Sequence, residues 1–281
     1  MAKQFSLPPA PVRLLALDLD GTLLNTQKQV SVRNRRALAA AAAAGVAVTP
    51  CSGRALDSIP DEVLTLPGVR YVVTSGGGAA YDLRTGQQLV CSPLPVQTVQ
   101  RVLRQTRQAG GWGECYTGRH AYTESGEIPL IREFIRSRDF VYLARQPVEE
   151  LARWARENAA QVVKLNLMFA SADARAALHE QLAAQPDILL TSASSVNLEV
   201  NAAGRGKGDA LCRLGAALGI APAEMMACGD QVNDLSMLEA VGFPVAMGNA
   251  LAQVKERAAF VTATNDEDGV AQAVERFVLH G

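Results

Sequence analysis

The chain has no apolar run near the ~18–20 residues that a membrane span requires. Its first residues, MAKQFSLPPAP, hold no apolar stretch of the kind a secretory signal carries. It has no C-x-x-C pair. Its five cysteines, an odd number, stand at irregular spacing, which excludes a disulfide framework and points to reduced thiols in a cytoplasmic protein. It also has no Lys/Arg block: 27 basic and 28 acidic residues leave a net charge of −1, which argues against nucleic acid as the main partner. No internal repeat is present, and the only biased tract is an Ala-rich helix. The expectation is a soluble globular chain. With 281 residues, 48% of them hydrophobic, it can bury one large core or two moderate ones.

The stretch around which the chain is organised is Asp18-Leu19-Asp20-Gly21-Thr22. It follows a short Leu-rich run at 12–17 that reads as a buried parallel strand. Two carboxylates stand two residues apart where that strand stops. With a side-chain period of two, they would share a face unless the chain kinks, and Gly21 permits a sharp turn. Two like charges held close call for a cation between them. Oxygen donors with no His or Cys nearby point to a hard ion, Mg²⁺.

Strand and helix alternate on either side of a different middle. Ser31 is a good N-cap for the Ala-rich helix, and Gly45 stands where such a helix should stop. Strands are expected at 46–49 and 69–74, with a helical stretch between them. From 95 the rhythm becomes helices mixed with hairpins: strands at 113–117, 120–123, 161–169, 188–191 and 196–200, and helices at 95–109, 128–136, 148–158 and 172–184. The α/β alternation returns with a helix at 207–218, strands at 224–228, 243–247 and 260–262, and helices at 235–241, from 251 and at 269–279. The fold class is α/β, a Rossmann-like core with a parallel sheet at 12–83 and 191–281 and an inserted α+β module at 84–190.

In open α/β sheets, ligands bind beyond the carboxyl ends of the strands. Three polar clusters fall at such ends: Asp18/Asp20, Ser52-Gly53-Arg54 and Gly229-Asp230-Gln231-Val232-Asn233-Asp234. A fourth, Gly204-Arg205-Gly206-Lys207-Gly208, opens a helix whose N–H groups and lysine would attract an anion. Carboxylates with a metal, facing an anion-binding corner, suit phosphoryl transfer.

These four clusters, in this order, resemble the motifs of the haloacid dehalogenase superfamily. With about a hundred residues between the second and third, they resemble its Cof-type (class IIB) phosphatases. Val245-Ala246-Met247-Gly248-Asn249-Ala250 and Asn265-Asp266-Glu267-Asp268-Gly269-Val270-Ala271 also look like signatures of that subgroup. The resemblance runs from about residue 12 to 278 and implies an aspartyl-phosphate mechanism. Asp18 would be the nucleophile. Asp20 would be the acid and then the base, its carboxyl free because the family binds Mg²⁺ through the backbone carbonyl at this position. Asp18, the Asp20 carbonyl and Asp230 would hold Mg²⁺, with Asp234 as ligand or orienting group. Ser52 and Lys207 would hold the phosphoryl oxygens. Leu19, Gly53, Arg54 and Asn233 would assist in binding phosphate or substrate.

The inserted module would be a cap that excludes water and chooses the leaving group, with His120, Tyr122 and Lys164 as its candidate contacts. Where the subgroup usually has Asn-Gly-Ala, this chain has Gly76-Gly77-Gly78, a departure that would free the loop or admit a bulkier substrate. The implied substrate is a small phosphorylated metabolite, a sugar phosphate or a phosphorylated cofactor. Phosphoryl transfer to a sugar hydroxyl, as in phosphomutases, and non-catalytic binding of a phosphometabolite are the alternatives.

Overall fold

The computed structural model describes residues 7–136, 144–192 and 194–279. The chain opens with β1 (Leu14–Leu17) and passes through the helix Val32–Ala43 to β2 (Ala47–Pro50). Ser31 accepts a hydrogen bond from the amide of Asn34 at the start of that helix. Then come β3 (Tyr71–Thr74) and a hairpin of β4 (Ala79–Asp82) and β5 (Gln88–Cys91). The middle of the chain holds β6 (Trp112–Tyr116), β7 (Ala121–Glu124), β8 (Gln146–Val148), β9 (Lys164–Met168), β10 (Ile188–Thr191) and β11 (Asn197–Ala202). The chain then returns through the helix Lys207–Leu218 to β12 (Met225–Gly229), β13 (Phe243–Ala246) and β14 (Phe260–Val261).

One sheet is parallel, in the order β14-β13-β12-β1-β2. All four residues of β1 are buried, as expected of a central strand covered on both faces. Single parallel bridges at Val48–Val69 and Cys51–Val73 lay β3 beside β2. From there β4 and β5 continue antiparallel. The register aligns Leu17 with both Cys228 and Pro50, so β1, β12 and β2 stop at the same level. Asp18, Gly229-Asp230 and Cys51-Ser52 therefore follow side by side.

The second large sheet runs β10-β11-β9-β6-β7-β8 and is antiparallel except between β7 and β8. Its strands alternate. Cys115, Leu165, Leu167, Leu198 and Val200 pack with Val99, Val102, Leu151, Ala155, Leu178 and Leu182 of the helices Val96–Gln108, Leu151–Glu157 and Ala172–Ala183. The opposite side chains, among them Glu114, Tyr116, Lys164, Asn166 and Glu199, are also buried but polar. Ile131, Phe134 and Ile135 of the helix Ile128–Arg136 cover the Met168 end of that face.

The β4–β5 hairpin and β8 are strands that the sequence pattern does not announce. Since β5 pairs with β4, and β10 with β11, strand pairing draws the module tighter at one end and longer at the other than 84–190. We propose edges near Pro93 and Ala203. No helix among the described residues is long and apolar enough to cross a membrane.

Candidate active site

Asp18 and Asp20 part company at the end of β1. The amide of Asp18 still donates to Cys228 in the ladder. The chain then folds back, with Leu23 N–H bonding the Asp18 carbonyl and Leu24 N–H the Leu19 carbonyl. Gly21 turns at φ 87°, and a Cβ there would lie 2.5 Å from an Asp230 carboxylate oxygen. This turn, in place of extended strand, separates the two carboxylates.

Asp18 faces inward. Its Oδ1 accepts a 2.6 Å bond from Lys207 Nζ, which gives a second 2.6 Å bond to Asp234 Oδ1. Lys207 is the first residue of its helix and is buried. Asp18, Asp230 and Asp234 each bring a carboxylate oxygen to within 4.8 Å of the others. Asp230 accepts from the Thr22 hydroxyl at 2.9 Å and from the Gln231 side chain at 3.0 Å. The second oxygen of Asp234 accepts the amides of Asp230 and Gln231. One oxygen of Asp234 thus shapes the turn while the other holds Lys207.

Three buried acids face one buried cation. Burial first, then Asp234, pushes the Asp18 carboxyl well above its ordinary value against the pull of Lys207. Burial and Asp234 also raise Asp230. Burial alone would lower the Lys207 ammonium, but Asp18 and Asp234 outweigh it and hold its pKa above the usual lysine value. A charge-deficient, all-oxygen pocket of this kind fits a hard divalent cation. Cys51 and Cys228 flank it, but burial pushes both thiols up to about 12, so neither is a thiolate nucleophile at neutral pH.

Asp20 lies outside the cluster. Arg54 grips its carboxylate with two bonds of 3.0 and 2.8 Å, and Lys28 adds a third at 3.0 Å. Burial pushes this carboxyl up, but Arg54 and then Lys28 prevail and hold its pKa below the ordinary value. Arg54 also donates to the Ser58 carbonyl. The structure therefore pairs Arg54 with Asp20 and with its own loop.

Ser52 is buried at the end of β2, and its Oγ accepts the amide of Arg54 at 3.2 Å. Asn233 stands in the turn before Asp234 with its Oδ1 buried and without a partner among the described residues. Leu19 is buried beneath the turn.

The glycine loop is packed, not loose. Gly76 and Gly77 have φ of 66° and 99°, a region costly for side-chain-bearing residues. A Cβ on Gly77 would sit 2.2 Å from the Gly206 carbonyl, and one on Gly78 would sit 2.7 Å from Val163. The space beside Gly76 is taken by Asn201, which donates to the carbonyls of Ser75 and Val163. Close packing, more than freedom to move, accounts for the three glycines.

Of the inserted module's candidates, Lys164 reaches the loops around Asp18. Its Nζ donates to the Gly53 carbonyl at 2.8 Å and to Glu199 at 2.6 Å. His120 instead pairs with Asp57, and Tyr122 stacks on Trp154 with centroids 3.9 Å apart. Thr22, Gln231 and Asn249, whose side chain bonds the Gly21 carbonyl, were missed as supports. All three lie inside motifs visible in the sequence, but their supporting bonds depend on how the turns close in space.

A family model described as haloacid dehalogenase-like hydrolase matches residues 15–274. A 5-amino-6-(5-phospho-D-ribitylamino)uracil phosphatase of Bacillus subtilis is 31% identical, over 95% of this chain and 96% of its own. An HMP-PP phosphatase of Serratia proteamaculans is 32% identical over 86% of each chain. The solved structure of a haloacid dehalogenase-like hydrolase from B. subtilis superposes with a TM-score of 0.81 at 27% identity, covering 94% of this chain and 99% of that one. With a parallel sheet, a separate antiparallel module and an acidic cluster at the strand ends, the chain belongs to the haloacid dehalogenase-like hydrolases, among their Cof-type phosphatases.

Proposed function

We propose that this protein is a Mg²⁺-dependent phosphatase of small phosphorylated metabolites acting through an aspartyl-phosphate at Asp18. The observation that carries the reading is the buried constellation of Asp18, Asp230 and Asp234 with Lys207 between two of them. Asp18 and Asp230, with the Asp20 carbonyl, would hold the ion, and Asp234 would orient them. The ion, when bound, neutralises charge on the carboxylates and the phosphoryl group.

Asp18 attacks phosphorus through a carboxylate oxygen as the bond from phosphorus to the leaving oxygen breaks. Once released from Arg54 and Lys28, which hold its pKa down, Asp20 takes up a proton from solvent and gives it to the leaving oxygen. It then accepts a proton from the water that attacks the acyl-phosphate, releasing phosphate and restoring Asp18. To reach the leaving oxygen, Asp20 must turn from Arg54 and Lys28. Ser52, Lys207, Asn233 and the loop amides at Leu19 and Gly53 stabilise the phosphoryl oxygens. Such hydrolysis is among the slowest uncatalysed reactions, with enhancements up to ~10²¹, so a covalent, cation-lined site suits it.

The antiparallel module is the cap in this reading, and its buried polar face supports a role in choosing the leaving group. Phosphorylated sugar alcohols and cofactor precursors are the substrate class that the named relatives favour. The five cysteines are free, which fits a cytoplasmic protein. The test is phosphate release from a panel of sugar phosphates and phosphorylated cofactors, with Mg²⁺ and with EDTA. Mg²⁺-dependent release that vanishes in Asp18→Asn is expected. Release unaffected by that substitution would refute Asp18 as the nucleophile.

A further inference from the structure

Lys164 is one of the largest fully buried side chains in the protein, and it belongs to the module, not to the core. Its ammonium lies 2.6 Å from Glu199 Oε1, 5.0 Å from the centre of the Tyr116 ring and 2.8 Å from the carbonyl oxygen of Gly53. That carbonyl is one end of a peptide group. The other end is the Arg54 N–H, which donates to Ser52 Oγ at 3.2 Å. The four groups form one chain: the Glu199 carboxylate, the Lys164 ammonium, the Gly53–Arg54 peptide and the Ser52 hydroxyl.

Polarisation along such a chain runs one way. A cation at a peptide oxygen draws electron density toward that oxygen and makes the N–H of the same peptide a better donor. The hydroxyl oxygen that accepts this N–H has one lone pair engaged, so its own proton is directed elsewhere and becomes a better donor. The Gly53 backbone lies so close to the pair that a Cβ there would be 3.4 Å from both Lys164 Nζ and Glu199 Oε1. Lys164, Glu199 and Ser52 are buried and the Gly53–Arg54 peptide is half-buried, so water competes less than at the surface and each link is strengthened.

We propose that Lys164 is a positioning residue. Through the Gly53–Arg54 peptide it orients and strengthens the Ser52 hydroxyl as a donor to the phosphoryl group, so that grip on phosphate depends on the module resting against the core. The inference rests on the reading of Ser52 as a phosphoryl-oxygen donor. Glu199 has the supporting part of holding the ammonium over the carbonyl. When the module lifts, the link from Lys164 to the Gly53 carbonyl is broken and Ser52 loses the polarisation it supplied.

A double-mutant cycle tests this, with Mg²⁺ present and orthovanadate as the probe of the phosphoryl site. Lys164→Met is expected to weaken vanadate binding about tenfold, or about 1.4 kcal/mol. In a Ser52→Ala background the same change should cost less than about twofold, because the end of the chain is already gone. Equal losses in both backgrounds, or no loss in either, would overturn the proposal. Lys164→Met strands a buried carboxylate and can unfold the protein. Lys164→Met with Glu199→Gln removes that charge and should give the same coupling to Ser52; additive losses here too would overturn it. Wild-type protein that does not bind vanadate, or Ser52→Ala that binds it as tightly, would overturn the reading of Ser52, and this inference with it. Ser52-dependent binding without coupling to Lys164 would overturn the inference alone.

Discussion

Two lysines, Lys207 and Lys164, are buried to the same degree, each about 1% exposed, yet their surroundings ask for different things. Lys207 stands between two carboxylates with a third beside them, a site short of positive charge. Lys164 stands between one carboxylate and one carbonyl, a balanced site. The first lysine leaves room for another cation; the second does not. Burial alone therefore says little about a charged side chain's task. The count of opposing charges within reach says more.

The largest effect that would break this contrast is on turnover. Lys207→Met is expected to lower kcat by about 10²–10³, and Asp18→Asn by about 10⁴ or more. Lys164→Met should lower it by only about tenfold. A deeper loss at 164 than at 207, in steady-state kinetics, would reverse the ranking.

Stability sharpens the contrast next. Either lysine, when removed, leaves a buried acid unpaired, at a cost of about 3–5 kcal/mol. Mg²⁺ should restore part of the loss in Lys207→Met, because an ion can take the place of the ammonium. It should restore none in Lys164→Met, where only Glu199→Gln helps. Thermal unfolding with Mg²⁺ and with EDTA reads both.

The third test uses pH. In the folded chain the Asp18 carboxyl titrates well above 3.8, so the metal-free native state holds that proton more tightly than the unfolded chain. Stability from this group is full below 3.8 and falls as pH climbs toward the raised folded value. The Tm gap between Asp18→Asn and wild type in EDTA should therefore widen with pH, and Mg²⁺ should close it. A gap that narrows as pH rises would contradict the electrostatics of the cluster.

The smallest effect lies in the module. Burial, then Glu124, raises Glu127 to about 7 against the pull of Arg107. Its contribution is present below 4.5 and is lost as pH rises through about 7. Glu127→Gln should match wild type near pH 4 and unfold about 1–2 °C higher at pH 8. Mg²⁺ should leave this difference unchanged, since no second cation site adjoins Glu127 among the described residues.

Much of the core could be read from the chain. The Lys207–Leu218 helix falls where Gly206 and the left-handed Gly219 bracket it, and Ser31 caps as expected. These are local signals, set by residues next to the feature they control. The helix expected at 269–279 gives way at Glu275 to a wider turn, which no neighbouring residue announces. The β4–β5 hairpin has no sequence signal because AAYD and QLVC are short, and β4 takes its place from β3 and β5 from β4, not from a pattern of their own. The site divides in the same way. Strand ends put Asp18 and Asp230 side by side, and the glycine-rich start of a helix marked Lys207. The capture of Asp20 by Arg54 depends on a turn in three dimensions that carries Asp20 off the strand. The contact between Lys164 and Gly53 joins residues 111 apart, and only the docking of one sheet on the other brings them together.

The glycine loop bears on how such proteins can be recombined. Gly78 leaves room for Val163, and Gly76 for Asn201, and those two residues lie where the chain enters β9 and leaves β11. This module spliced onto a scaffold whose loop carries side chains at the positions of Gly76 and Gly78 would meet them with Asn201 and Val163. Loop and module therefore form one heritable unit. Chimaeras that exchange the module together with 76–78 should fold where chimaeras that exchange the module alone collide.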